Sequence, residues 1–329
     1  MKNREVLFFV TIILLILFFI LSIIFGSVTI PLNDVFNVIL GNNNAKKAYE
    51  IIIFKLRLPR TVLALLAGGG LAIVGSIYQG ILKNPMAEPY TLGVSAGAAL
   101  GAVLGIVFFK SMGIINMISF LGAILTIVIV YKIAKVGSFL PPIAILLAGV
   151  AVSFFLSSVI SLIMIFNRSK IADIIYWTMG SFATVYWEQI IFLGIILLLF
   201  LLLAIYFTRD LNILQLGEEE AKTIGVNVEF VKKIFLFSSA IVVSAIVSIT
   251  GIIGFIGLIV PHIVRILIGQ NYKNSLIFSF LFGGIFAIGC DIIARVLAMP
   301  SEIPVGVITS ILGVPYFLYL LYKNKKKVF

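Results

Sequence analysis

Apolar residues run through this chain in blocks of about twenty, separated by short polar breaks. The blocks fall at roughly 6–26, 58–82, 92–109, 114–134, 143–166, 190–207, 232–250 and 304–322. The stretch 251–297 divides into two more, "GIIGFIGLIVPHIVRILIG" and "SLIFSFLFGGIFAIGCDIIARVL". Some twenty apolar residues in a helix cross the roughly 30 Å hydrocarbon core of a bilayer. Lipid admits only helices and closed barrels as spanning structures. These blocks lack the alternation of barrel strands, which are about ten residues long. The pattern therefore predicts an all-α polytopic membrane protein of about ten transmembrane helices, organised as a single transmembrane domain over 1–329. No small-x-small cleavage site follows the first block, so an uncleaved first span is expected.

Composition agrees and narrows the choice. Of the 329 residues, 62% are hydrophobic and only 11% charged, with a mean hydropathy of +1.23. Soluble domains are roughly 45–50% apolar and about 25% charged. The net charge of +11 does not suggest nucleic acid, because the basic residues are scattered through short loops and the C-terminus, as membrane topology requires. One cysteine, Cys290, and one histidine, His262, exclude an internal disulfide and any His-rich or Cys-rich metal site.

With ten spans and a cytoplasmic N-terminus, fifteen of the 24 Lys and Arg residues fall inside and nine outside. That bias favours both termini in the cytoplasm. It is weakened by "FKLRLPR" (54–60), whose Lys55, Arg57 and Arg60 lie outside. A negatively charged external partner is one reason to keep them there. The other is that the first span already fixes topology and the loop tolerates charge.

Three connections are long. Residues 27–57 and 167–189 lie outside, the second carrying Trp177, Tyr186 and Trp187, residues suited to a membrane interface. The third, 209–233, lies inside and holds five of the acidic residues. There Gly217 and Gly225 bracket "EEEAKTI", which predicts about two helical turns acting as a docking element, or else a plain solvated loop. Within the spans, "AGGGLAIVG" (67–75) and similar runs place small residues three or four apart, so helices can approach closely. Pro261 falls inside a span and is expected to kink or break it.

Candidate chemistry is sparse. No Gly-x-x-x-x-Gly-Lys-Ser/Thr sequence occurs, so the chain lacks that route to ATP. Ionisable residues within spans are the usual mark of an ion path, and here they are Asp291, Arg295, Arg265 and His262. Asp291 and Arg295 are four apart and are expected to pair along one helix face. A proton- or sodium-coupled secondary transporter, the alternative function, calls for more buried carboxylates. A transporter subunit with no energy source of its own fits the residues better.

Several motifs, in order, resemble those of the FecCD-type permeases of ABC importers. They are "RLPR" (57–60), "NPMAEPYTLGVSAGA" (84–98), "ILLAGVAV" (145–152), "YWTMGSF" (176–182), "LGEEEAKTIGV" (216–226), "GFIGLIVPHIVR" (254–265) and "DIIAR" (291–295). The resemblance implies a ten-helix bundle like the cobalamin-importer permease, a type II ABC importer, in the cell (inner) membrane. It implies a homodimer or heterodimer importing an iron–siderophore complex, haem or cobalamin. Implied partners are two cytoplasmic ABC ATPase subunits, which alone carry ATP and magnesium, and a periplasmic or lipid-anchored substrate-binding protein. The chain itself is implied to be no enzyme and to bind no cofactor, metal or nucleic acid. By motif position, Arg57, Arg60 and Arg295 become exposed docking arginines for acidic residues of the binding protein. The ATPase site becomes Leu216, Gly217, Glu218, Ala221 and Gly225, within 209–233. The cytoplasmic gate falls at Pro141, Pro142 and Ile143, where the proline pair departs from some relatives. Gln79, Asn84 and Ser95 either border the path or serve as interhelical hydrogen-bonding links.

Overall fold

The computed structural model describes residues 2–41, 46–137 and 139–328; part of the expected 27–57 connection, residues 42–45, lies outside them. Among these residues the chain forms fifteen α-helices. The first, α1 (Lys2–Ile24), is followed by two short ones, α2 (Leu32–Ile39) and α3 (Lys47–Ile51). A π-helical stretch, Ile52–Arg57, then runs without a break into α4 (Leu58–Ile81). Next come α5 (Val94–Phe108), α6 (Met112–Ala134), α7 (Pro142–Phe166), the short α8 (Ile171–Thr178) and α9 (Trp187–Tyr206). The polar connection supplies α10 (Thr208–Leu214) and α11 (Glu218–Thr223). The chain closes with α12 (Val228–Thr250), α13 (Ile256–Ile268), α14 (Tyr272–Val296) and α15 (Val305–Val328).

Seven of these segments are long and apolar enough to cross a bilayer, and three shorter apolar helices, Val94–Phe108, Ile256–Ile268 and Val305–Tyr319, join them. Each of the ten corresponds to a hydrophobic block of the sequence. The two ends of the bundle are the terminal face, where α1 begins and α15 ends, and the opposite face.

Residue size decides which helix sits at the centre. In α4 the apolar window is 83% buried, against 11% in α1 and 17% in α7. The glycines of "AGGGLAIVG" explain this: a Cβ on Gly68 would overlap the carbonyl oxygen of Gly283 in α14, and one on Gly283 would overlap that of Gly68. Backbones in this crossing touch directly, as close helix contact in lipid requires. The outward side chains of α1, such as Phe9 and Ile13, are exposed, as suits a surface bathed by hydrocarbon.

Of the kink or break expected at Pro261 there is no break; α13 continues through it. Proline removes the N–H that would serve the carbonyl four residues earlier, here that of Gly257. The side chain of Gln79 in α4 takes this place, its Nε2 donating to the Gly257 oxygen at 3.4 Å and to the Leu258 oxygen at 3.2 Å. Gln79 Oε1 accepts in turn from Arg265 Nη2 at 3.0 Å. Gln79, 3% exposed, thus links α4 to α13.

Candidate functional site: an arginine cluster and a polar loop

The arginines of "RLPR" and "DIIAR" meet at the opposite face, but they are not presented to solvent. Arg57, Arg60 and Arg295 are 4%, 7% and 2% exposed. Arg57 reaches the end of α1, where its guanidinium donates to the carbonyls of Ile23 at 2.7 Å and Ile24 at 2.6 Å, and to that of Val28. The last carbonyls of a helix have no partner within it, and a cation there also suits the helix dipole. Arg60 grips Asp291 with two nitrogens, Nε at 2.9 Å and Nη2 at 2.8 Å from Oδ1, and holds Glu302 through Nη1 at 2.7 Å. Arg295 completes the cluster. Its Nη2 lies 3.0 Å from Asp291 Oδ2, and its nitrogens donate to the Ser22 and Phe25 carbonyls and to Ser22 Oγ.

The expected Asp291–Arg295 pair is therefore present, with Arg60 as a third member. The expectation of exposed cationic pads is corrected: burial of a charge demands complete pairing, and here helix ends and carboxylates supply it. Glu302 and Ser22 were not legible as members. Glu302 stands in the short "MPSEIP" turn between α14 and α15, its side chain 23% exposed. Burial pushes its carboxyl up, but Arg60 above all, with Ser27 and Arg295, holds it below the ordinary carboxylate value.

At the terminal face the polar connection forms α10 and α11, the two turns expected of "EEEAKTI". Gly225 has φ +94°, left-handed backbone that favours glycine, and it ends α11. Three glutamates occupy the first turn of α11, where the helix dipole favours them. Ala221 is fully buried as an anchor, while Leu216 and Ile224 are 70% and 52% exposed. Lys222 lies 2.9 Å from Glu219, a hydrogen bond that raises its pKa. Asn212 Oδ1 accepts from the Tyr272 N–H at 2.9 Å, and Gln215 donates to the Gln270 carbonyl at 2.8 Å, so α10 is fastened to the start of α14.

Of the other expected site residues, Pro141 caps the N-terminus of α7, Pro142 is its first residue and Ile143 is 72% exposed. Asn84 stabilises the turn after α4 by accepting from the Met86 N–H at 2.9 Å. Ser95 is half-buried in the first turn of α5. Neither is joined to Gln79 by a hydrogen bond among the described contacts.

The model of the FecCD transport family matches residues 14–323. The chain belongs to that family. It is similar to the Fe(3+)-citrate import system permease protein YfmD of Bacillus subtilis, at 36% identity over 98% of this chain and 96% of the relative. It is also similar to the cobalamin import system permease protein BtuC of Halobacterium salinarum, at 39% identity over 83% of this chain and 73% of the relative. A solved inward-facing metal-chelate type ABC transporter superposes with a TM-score of 0.86 at 32% identity, covering 97% of this chain and 99% of that one. As a FecCD member, the chain is a multi-pass membrane permease subunit of an ABC importer. The ion-coupled alternative finds no support, and Asp291 is clamped between the guanidiniums of Arg60 and Arg295.

Proposed function

We propose that this FecCD permease forms half of a dimeric conduit that imports an iron–siderophore complex, haem or cobalamin, with both termini in the cytoplasm of the cell. Two separate ABC ATPase subunits hold ATP and magnesium and dock on the terminal face over the loop that carries Leu216, Gly217, Glu218 and Gly225, with Ala221 as its buried anchor. A substrate-binding protein delivers the cargo to the opposite face.

The loop 209–233 carries this reading. It is braced against the bundle from both sides, yet leaves large apolar side chains such as Leu216 exposed on a charged element. Such an element suits a protein surface better than lipid. At the opposite face, Glu302 is the partly exposed rim of the arginine cluster, paired with the buried Arg60. An acidic side chain of the binding protein meets Arg60 there by competing with Glu302. Arg57 and Arg295 act from beneath, holding the rim in shape. The cytoplasmic gate lies at Pro141, Pro142 and Ile143. The path runs along the exposed face of α7, where Ser153, Ser158 and Ser161 satisfy their hydroxyls on the preceding turn and so offer a weakly polar, non-sticking wall.

The test is reconstitution in liposomes with an ATPase and a binding protein encoded beside this chain, using labelled ferric citrate, haemin and cobalamin as cargo. ATP-dependent accumulation of one of them is expected, and none by the permease alone. Concentrative uptake by the lone chain, or no binding of either helper, would refute the proposal.

A further inference from the structure

We propose that Lys232 is the positioning residue through which the polar loop moves the start of α7. This rests on the reading of the loop as the ATPase dock and of Pro141–Pro142 as the gate, and it adds the link between them.

Lys232 lies on the first turns of α12 and is 2% exposed. A lysine is almost never so buried unless it is paired. Its ammonium has three partners from three elements: Glu218 Oε2 of α11 at 2.7 Å, Glu229 Oε1 of α12 at 3.9 Å, and the carbonyl of Leu140, to which Nζ donates at 3.4 Å. Leu140, itself 3% exposed, immediately precedes Pro141 and Pro142. Proline rings fix φ and offer no N–H, so the segment leading into α7 is stiff.

A second contact runs in parallel. Lys222 of α11 places its ammonium over the ring of Phe139, 5.3 Å from the centroid, within the range of a cation–π attraction. Phe139 exchanges backbone hydrogen bonds with Val136 at 2.9 and 3.0 Å, which closes the turn between α6 and α7. The loop therefore holds that turn at two adjacent residues, one by charge and one by ring.

The rest of α7 is held loosely. Only Ile145, Ala148 and Gly149 are buried in it, all within its first third. Displacing α11 without the turn would take Glu218, the shortest contact, from the buried Lys232 ammonium and leave it only the 3.9 Å contact with Glu229 and the 3.4 Å bond to the Leu140 carbonyl, which is unfavourable. The lower-energy response is for Leu140 to follow, tilting the start of α7 about its small buried patch. Nucleotide-driven movement of the ATPases thus reaches the gate through one buried cation.

The test uses the full complex in liposomes. Lys232→Met keeps the length of the side chain and removes the charge; Lys232→Arg keeps the charge. ATP hydrolysis is measured alongside uptake of labelled ferric citrate, haemin and cobalamin. Spin labels at Ile143→Cys and Lys273→Cys, both exposed, report the position of α7 with and without a non-hydrolysable ATP analogue. For Lys232→Met we expect ATP hydrolysis to stay within about twofold of wild type while uptake per ATP falls at least about tenfold. The nucleotide-dependent change in spin–spin distance is lost, and Lys232→Arg restores most of both. Unchanged uptake per ATP and an unchanged distance response would overturn the proposal. So would equal loss of hydrolysis and uptake in folded Lys232→Met, which would make Lys232 part of the dock. Should Lys232→Met fail to fold, Phe139→Ala decides: its ring is 56% exposed, and an undiminished coupling ratio would count against the link. A wild-type complex that assembles with no ATPase at all would refute the importer reading first, and is recognised by pull-down before any variant is made.

Discussion

Replacing Asp291 with asparagine keeps the shape of the side chain and removes one negative charge from the arginine cluster. The carboxylate is fully buried and holds Arg60 and Arg295, themselves 7% and 2% exposed. Breaking a buried pair from one side leaves an uncompensated charge and costs about 3–5 kcal/mol. An asparagine oxygen still accepts one hydrogen bond, so we expect the lower half of that range, about 3–4 kcal/mol, or two to three decades in the folding equilibrium. Glu302→Gln is the internal control. Its carboxylate is partly solvated and Arg60 keeps Asp291, so the loss is expected at about 1 kcal/mol or less. Unfolding of purified protein in mixed micelles, titrated with SDS, measures both against wild type. A double variant, Asp291→Asn with Arg60→Met, is expected to recover part of the loss, because it removes the stranded cation. The reasoning fails if Asp291→Asn is no more destabilising than Glu302→Gln, or if it abolishes uptake while leaving stability untouched. That second result would return Asp291 to an ion-carrying role.

Other variants probe separate features. Gly68→Leu forces α4 away from α14 and is expected to abolish a monodisperse folded species in size-exclusion chromatography; a normal elution profile would show that the backbones need not touch. Gln79→Leu uncovers the carbonyl freed by Pro261 and is expected to cost about 2 kcal/mol, seen as a lower SDS midpoint; an unchanged midpoint would mean that another donor serves Gly257. Glu302 supplies a pH dependence. Its folded pKa lies below the ordinary 4.5, so the stability it contributes is complete above that value and is lost as pH falls from 4.5 through the depressed folded value. The difference in melting temperature between wild type and Glu302→Gln is therefore expected to be constant near neutrality and to shrink below about pH 4.5; a difference that grows on acidification would reverse the assignment.

The spans were legible because a bilayer leaves one solution for a twenty-residue apolar block, and each block became a helix within a few residues. The Asp291–Arg295 pair was legible from helical spacing alone. The burial of Arg57 and Arg60 was not, because their partners are distant in sequence: carbonyls at the end of α1, Asp291 on α14, and Glu302 beyond it. Charge counting by loop assigned them a side of the membrane without revealing that the protein itself consumes their hydrogen bonds. Lys232 was likewise hidden. It sits fifth in a helix whose neighbours Glu229 and Lys233 made it look like one more solvated loop charge, and its contact with Leu140 spans 92 positions. The bond from Gln79 to the carbonyl freed by Pro261 was hidden for the same reason, because it spans 178 positions.

Arg57 and Arg295 grasp main-chain oxygens of residues 22–28, with Ser22 the one side chain they hold there. The clasp is therefore indifferent to what most residues of the first helix are, but not to how many there are. One inserted residue would turn the end of α1 by about 100° and push it 1.5 Å along its axis, carrying those oxygens out of reach. Substitution along this peripheral helix is thus a gentle change, whereas a change of register unfastens it from the molecule.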